Sequence, residues 1–276
     1  MIVFAQRRKF AAFRADAVAG FGPEVQMRLL CCLLVAALVP AGAALAKRSD
    51  IVEPTLHVAP GGAGAPRVAL TFDACMGGTD RRILSALIDN KVPATVFVTG
   101  RWLKRNSAVF AEMRAHPDLF EIENHGARHI PAVDRPMKIY GIAAAGSSAA
   151  VRAEVEGGAD AVRAAGGGEP TWFRGSTARY SKSAIAGIRK LGFRVAGYSL
   201  NGDGGSLLGA RVTEKRIAAA HDGDVVIAHI NQPRHAAGAG VAKAIADLKA
   251  KGYAFVRLSD VPSEGSDGTT ATAPAF

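Results

Sequence analysis

Cysteine and acidic residues are scarce in this sequence. Only three of the 276 residues are cysteines, and two of them, Cys31 and Cys32, lie in an apolar N-terminal stretch. Without that stretch Cys75 stands alone, which excludes an intramolecular disulfide and favours a buried thiol. The 34 Lys and Arg outnumber the 24 Asp and Glu, for a formal net charge of +10. The chain therefore favours anionic surroundings, but it has no basic strip interleaved with aromatics that would indicate nucleic-acid binding.

The sequence also lacks an apolar run of the roughly 20 residues that a membrane span needs. Residues 27–46, "MRLLCCLLVAALVPAGAALA", have a positive start, a short apolar middle broken by Pro40 and Gly42, and small residues at the end. This pattern predicts a cleaved secretory signal peptide, and residues 1–26 are interpreted as an upstream extension. Cleavage would remove five basic and two acidic residues and leave a formal net charge of +7. We expect a periplasmic or extracellular protein with no remaining membrane span.

The rest of the chain has ordinary globular composition, 49% hydrophobic and 21% charged. Within residues 67–262, predicted as one domain, short β-branched apolar runs alternate with helical periodicity. Residues 47–66 are predicted to be a lead-in segment, residues 137–148 a loop and residues 263–276 a disordered tail. Continuous apolar strands separated by helices indicate an α/β fold with a parallel sheet covered by helices. The predicted strands are 68–74, 94–100, 120–124, 171–174, 194–200, 224–229 and 254–258, and the predicted helices include 80–90, 149–165 and 241–250.

Polar side chains follow five of these strands. In parallel βα architectures the carboxyl ends of the strands form the functional site, because the loops that leave them converge there. Each residue alone has an ordinary explanation, such as a loop-closing carboxylate, a surface histidine or a turn. Together they predict one site, and its members are Asp73, His125, His129, Arg174, Asn201, Asp203 and His229.

These residues lie in five short motifs that resemble those of the polysaccharide deacetylases, the NodB-homology domains of carbohydrate esterase family 4. The motifs appear here in the family's order and cover about residues 67–260. The resemblance implies a distorted (β/α)7 barrel and the removal of N-acetyl groups from a polysaccharide. The five segments are Thr71-Phe72-Asp73-Ala74, His125-Gly126-Ala127-Arg128-His129, Phe173-Arg174-Gly175-Ser176, Ser199-Leu200-Asn201-Gly202-Asp203 and Val226-Ile227-Ala228-His229.

The resemblance also implies roles for individual residues. Asp73 would act as general base on a metal-bound water, and Arg174 would fix its carboxylate and keep its pKa low. His229 would be the general acid that protonates the leaving amine, with Asp203 as its carboxylate partner. His125 and His129 would hold the metal, usually zinc.

The first motif departs from the family pattern at the metal site. Its second Asp, usually a metal ligand, is Ala74 here. Three substitutes are open: Asp73 itself as a ligand, Asp80 from the Gly-Gly loop, or the two histidines with water. A site without metal is a fourth. Asp80 is the candidate third ligand, together with His125 and His129.

The third and fourth motifs depart as well. Arg174 is not followed by the usual Pro-Tyr, and Tyr180 comes six residues later; the fourth motif has Asn201 for its first Asp and lacks a Trp. Tyr180 and Asn201 are the candidate substrate-binding residues. The leading hypothesis is an exported metal-dependent deacetylase acting on peptidoglycan or an exopolysaccharide. The alternatives are a metal-independent or altered-specificity amide or ester hydrolase, and a non-catalytic carbohydrate-binding relative.

Overall fold

The computed structural model describes residues 50–267. The predicted upstream extension, the signal peptide and the end of the predicted tail lie outside these residues. Among the helices of residues 50–267, none is long and apolar enough to cross a membrane.

A curled, largely parallel sheet with helices on its outer side forms the fold, which confirms the predicted α/β class. The strands of the described part of the chain are β1 (Ile51–Val52), β2 (Thr55–Val58), β3 (Arg67–Ala74), β4 (Ala94–Val98), β5 (Phe120–Asn124), β6 (Lys138–Ile139), β7 (Ile142–Ala143), β8 (Trp172–Phe173), β9 (Tyr180–Ser181), β10 (Arg194–Val195), β11 (Leu200–Asn201), β12 (Asp224–His229), β13 (Ala254–Phe255) and β14 (Ser263–Ser266). The helices there are α1 (Arg81–Asp89), α2 (Gly100–Arg105), α3 (Ser107–Arg114), α4 (Ser148–Ala164), α5 (Lys182–Lys190), α6 (Ala210–Ile217) and α7 (Ala237–Ala250).

The sheet runs in the order β10-β8-β5-β4-β3-β12-β2-β14. Its first six strands are parallel, whereas β2 pairs antiparallel with β12, and β14 antiparallel with β2. β11 joins β12 and β13 joins β3, both in parallel. The parallel strands all direct their carboxyl ends to one rim, which therefore collects the polar residues that follow them.

Strands β3, β4 and β12 form the centre because they are apolar along nearly their whole length, as sheets covered on both faces require. Helix α1 illustrates how the outer layer packs. Its apolar positions Ile83, Leu84 and Leu87 fall on one face and are fully buried, and the helix ends at Asn90 with main-chain bonds back to its last turn. The sequence periodicity of this segment predicted that face correctly.

Several predicted boundaries are wrong. The lead-in segment contributes β1 and β2, and residues 263–266 of the predicted tail form the edge strand β14, so the folded unit extends beyond 67–262. The predicted loop 137–148 contains the β6–β7 hairpin. The predicted strand 194–200 is interrupted between β10 and β11, and in the interruption Gly197 lies against the main chain of Pro54, where a Cβ would lie 2.2 Å from the carbonyl oxygen. Local sequence pattern does not encode this contact between distant segments.

Candidate active site

Asp73 and His229 lie side by side where the two central strands end. β3 and β12 are parallel neighbours whose register pairs His229 with Asp73, and the main-chain N–H of Ile230 donates to the carbonyl of Asp73 at 3.2 Å. Two residues separated by more than 150 positions are thus fixed by the most regular part of the sheet. The structure thus places these two strand ends side by side.

Arg174 crosses the interior of the sheet to reach Asp73. It is completely buried, and its guanidinium donates to Asp73 Oδ1 at 3.2 Å, Thr71 Oγ1 at 2.8 Å and the carbonyl of Gly197 at 2.9 Å. The guanidinium also lies 4.3 Å from the ring centre of Phe97. Several partners are needed because a buried guanidinium with unsatisfied donors is costly. Arg174 therefore fixes the orientation of the Asp73 carboxylate.

The environment keeps Asp73 ionised. Burial acts to raise the pKa of this carboxyl group, but the neighbouring His125, Arg174 and His229 outweigh it and lower the pKa below its ordinary value. The carboxylate is 3% exposed, and its Oδ2 lies 3.8 Å from His125 Nε2. At neutral pH the group can accept a proton.

His229 has the opposite character. Burial acts to lower its pKa, but the charge and hydrogen bond of Asp203 raise the pKa from 6.5 to about 9. Asp203 is fully buried; its Oδ1 accepts from His229 Nδ1 at 3.0 Å and its Oδ2 from the main-chain N–H of His229 at 2.6 Å. The imidazole is therefore protonated at neutral pH, and its Nε2 is left for another partner.

Three potential metal donors gather beside Asp73: Cys75, His125 and His129, whose ligand atoms all lie within 4.8 Å of one another. Cys75 Sγ lies 3.5 Å from His125 Nε2. Burial lowers the pKa of His125. Burial, together with repulsion from His125 when that residue is protonated, lowers the pKa of His129 to about 3. Both imidazoles are therefore neutral, the form that binds metal. Two imidazoles and a thiolate are a donor set that Zn²⁺ accepts. Burial, with the charges of Asp73 and Asp203, raises the pKa of the Cys75 thiol, so a cation that binds there has to displace the thiol proton.

The loop that carries the two histidines is shaped by Glu154 of α4. The buried Glu154 carboxylate accepts from the main-chain N–H groups of Arg128 at 2.9 Å and Ile130 at 3.0 Å. Gly126 has φ +88, and a Cβ there would lie 2.5 Å from Glu154 Oε1. His129 is itself left-handed, with φ +66. The glycine at 126 therefore makes room for the carboxylate that holds the loop in place.

A cavity of about 540 Å³ opens over these groups. Its floor includes Asp73, Cys75, His129 and His229, and its rim is apolar and partly exposed. The rim residues are Met76, Tyr140, Ile142 and Leu207, with exposed fractions of 43%, 52%, 37% and 70%. Exposed apolar side chains concentrated around one opening mark a ligand-binding cleft.

Two predicted site residues lie elsewhere, and one predicted residue lines the cavity. Asp80, the candidate third ligand, is the N-cap of α1, and its carboxylate is bound by the guanidinium of Arg82 at 2.6 and 2.9 Å, so its prediction as a ligand is wrong. Tyr180 is fully buried and accepts from the N–H of Gly175 at 2.6 Å, which makes it structural. Asn201 lines the cavity and caps the following turn through Gly204.

Sequence reasoning missed several residues of the cavity. Cys75 was predicted to be a buried thiol, which it is, but not a residue of the site, although strand alternation places it on the same face as Asp73. Thr177 and Asn231 also line the cavity, and within residues 50–267 the Thr177 hydroxyl and both amide atoms of Asn231 are buried without a hydrogen-bond partner. Glu53, from the lead-in segment, also lines the cavity, and the hydroxyl of Tyr198 donates to it. No local motif indicated these three positions.

Comparison with known proteins identifies a family and structures of similar fold. The family model of the polysaccharide deacetylases matches residues 61–196, and the chain belongs to that family. A search of curated proteins finds no match.

Solved structures of similar fold include PdaA, a family 4 carbohydrate esterase of Bacillus subtilis, with 20% identity, a TM-score of 0.60, and coverage of 75% of this chain and 84% of that one. A family 4 esterase from Streptomyces lividans in complex with acetate gives 21% identity, a TM-score of 0.56, and coverage of 69% and 91%. A family 4 pseudoenzyme from Bacillus anthracis gives 22% identity and a TM-score of 0.58, with coverage of 71% of this chain and 65% of that one. At these identities the likeness establishes the fold.

Proposed function

We propose that the protein is an exported, metal-dependent hydrolase that removes N-acetyl groups from an N-acetylhexosamine-containing polysaccharide, either peptidoglycan or an exopolysaccharide. The family supports hydrolysis of carbon–nitrogen bonds other than peptide bonds. Export is supported by the signal-like pattern of residues 27–46.

One observation carries the catalytic part of the proposal: Asp73 and His229 lie side by side in the cavity lining, each held by a buried partner of opposite charge, Arg174 and Asp203. Their pKa values are displaced in opposite directions. The pKa of Asp73 is lowered and that of His229 is raised to about 9, so at neutral pH Asp73 is ionised and His229 is protonated. Such a pair, at the floor of a cavity, supplies a base and an acid at the same time. Hydrolysis of an amide needs both, because a water must lose a proton and the leaving amine must gain one.

The side chains divide that work between them. Asp73, held by Arg174, accepts the proton of the attacking water. His229, held by Asp203, donates the proton from its Nε2 to the departing nitrogen. The deacetylated amine then leaves with that proton, and acetate is the second product.

A divalent cation fits the donors that lie beside this pair. His125 and His129 are neutral imidazoles, and the thiol of Cys75 completes a group of three. When bound, such an ion polarises the acyl oxygen and acidifies a water molecule, which an unactivated amide requires. Zn²⁺ is the cation that two imidazoles and a sulfur donor favour.

The cavity is suited to a sugar substrate with both polar and apolar surfaces. The partly exposed ring of Tyr140 and the side chain of Leu207 offer contacts to the C–H faces of sugar rings. Thr177 and Asn231 add polar residues to the cavity lining. Asn201 belongs to the same wall.

Acetate release from N-acetylated oligosaccharides and from peptidoglycan tests the proposal. We expect release by the zinc-loaded protein and a loss of at least about 100-fold in kcat for Asp73→Asn and for His229→Gln, since general acid–base catalysis contributes about 10²–10⁴-fold. His221→Gln is the matched control, because the side chain of His221 is 92% exposed. Asp118→Asn is the control for Asp73.

Three outcomes would contradict parts of the proposal. Cleavage of small amides or esters with no release from any acetylated sugar would favour an altered specificity. Release that is unaffected by metal removal would favour a metal-independent hydrolase. Binding of the polymer with no turnover would make the protein a non-catalytic carbohydrate-binding relative.

A further inference from the structure

Cys75 occupies the position from which a side chain of the first motif reaches the catalytic rim. β3 ends at Ala74, whose side chain is fully buried in the core between the sheet and the outer helices. Residues two apart in an extended segment face the same way, so Cys75 follows Asp73 onto the catalytic face. The residue that aligns with the family's second Asp therefore points away from the histidines, and the next residue points toward them.

The distances are those of a sulfur–imidazole pair that shares a cation. Zn–S bonds are about 2.3 Å and Zn–N bonds about 2.0–2.1 Å, so tetrahedral angles place the two donors about 3.6 Å apart. Cys75 Sγ lies 3.5 Å from His125 Nε2, and all three donor atoms lie within 4.8 Å of one another. Asp80 is engaged by Arg82, which removes the nearest competing carboxylate of the Gly-Gly loop.

The hydrogen bonding of His125 directs a lone pair toward the sulfur. Its Nδ1 lies 2.7 Å from the main-chain carbonyl of Arg174, and because a carbonyl only accepts, Nδ1 carries the proton. The lone pair is then on Nε2, the atom that faces Cys75. A ligand imidazole held through its other nitrogen in this way is typical of metal centres. The cysteine is 8% exposed and is not in a disulfide within residues 50–267.

We propose that Cys75 binds the catalytic cation as a thiolate, so that the centre has one sulfur and two imidazole ligands and prefers zinc or cobalt to manganese or magnesium. Thiolate ligands select thiophilic cations, whereas carboxylates also accept the harder ones. The inference rests on the proposed function, because it concerns the cation that this hydrolase uses. It replaces the expected carboxylate ligand by a different donor at a different position.

Cobalt binding to the metal-free full-length protein tests this assignment independently of activity. We expect one equivalent of Co²⁺ to produce a thiolate-to-cobalt charge-transfer band in the near ultraviolet, which one equivalent of Zn²⁺ abolishes. Cys75→Ser should lose the band and bind zinc at least about 100-fold more weakly, since even outer-shell changes cost about 10–100-fold. Cys75→Asp should bind without the band and accept manganese more readily.

In full-length protein that retains residues 27–46, the double variant Cys31→Ser, Cys32→Ser is the matched control, because it removes the other two thiols of the chain. It should keep the band. Cobalt binding without the band, unchanged zinc affinity in Cys75→Ser, or no cobalt binding at all would each overturn the assignment. Acetate release measured in parallel separates the two proposals: the band without acetate release refutes the deacetylase activity alone, and acetate release without the band refutes the thiolate ligand alone.

Discussion

Replacing Asp203 by Asn tests how the acid of the site is tuned. The substitution keeps the shape of the side chain but removes the charge that raises the pKa of His229 to about 9 from its ordinary 6.5. Burial and the charge of Arg174, which lower the pKa, are then opposed by the charge of Asp73 alone, so the pKa of the variant histidine should fall toward its ordinary 6.5. Because a general acid works only while protonated, the variant should lose activity at a lower pH than the wild type does.

The expected loss depends strongly on pH. At pH 8 about 90% of the wild-type histidine is protonated with a pKa of about 9, against about 3% at the ordinary 6.5, a ratio of about 30. At pH 6 the same calculation gives a ratio of about 1.3. Profiles of kcat against pH, measured on one acetylated oligosaccharide for both proteins, should therefore diverge toward alkaline pH. Parallel profiles, with an equal loss at pH 6 and pH 8, would refute the assignment of His229 as the acid.

The Asp203–His229 pair also stabilises the folded protein, by an amount that falls as pH rises. The pKa of His229 is higher in the folded protein than the ordinary value, so the contribution is complete below pH 6.5 and disappears as pH rises through about 9. A shift from 6.5 to about 9 corresponds to about 3 kcal/mol. Urea unfolding should show Asp203→Asn destabilised by up to that amount at pH 6, with a smaller difference at pH 9.5.

Three further perturbations address the loop, the base and the cation. Gly126→Ala should lower the free energy of unfolding by about 1–3 kcal/mol in urea titrations, because φ of Gly126 is +88 and the new Cβ would meet Glu154. Gly187→Ala is the control: Gly187 is helical with open space around it, so this change should not destabilise the protein. Arg174→Met should destabilise by about 3–5 kcal/mol and raise the pKa of Asp73, which moves the acid limb of the pH–rate profile to higher pH. Chelation should abolish acetate release and zinc should restore it; full activity in the presence of the chelator would exclude a metal-dependent reaction.

Strand ends could be predicted from the sequence because the signals are local. An apolar run that stops at a polar residue identifies both the strand and the rim, and this located Asp73, His125 and His229. Arg174 was found the same way, although its strand is only two residues long. Parallel topology then implied convergence before any distance was known.

Contacts between distant segments were not predictable in this way. Glu53 reaches the cavity only because the lead-in segment folds back against the chain at Gly197, and nothing near Glu53 in the sequence indicates a site. Asp80 failed as a ligand for a related reason: an Asp before an amphipathic run is also the preferred N-cap, and the capping role prevailed. Tyr180 was assigned by motif proximity, which says nothing about burial.

The altered motifs can be understood as connected changes. With alanine at 74 the strand end packs into the core, and under our proposal the donor function passes to the next residue, Cys75, which the same alternation directs at the histidines. Glycine at 126 similarly gives its space to Glu154, whose carboxylate then organises the loop that presents His129. In the first motif, the ligand missing at position 74 would thus be matched by a donor at the next position. A site that had merely decayed would not be expected to keep an acid, a base and three convergent donors in one cavity.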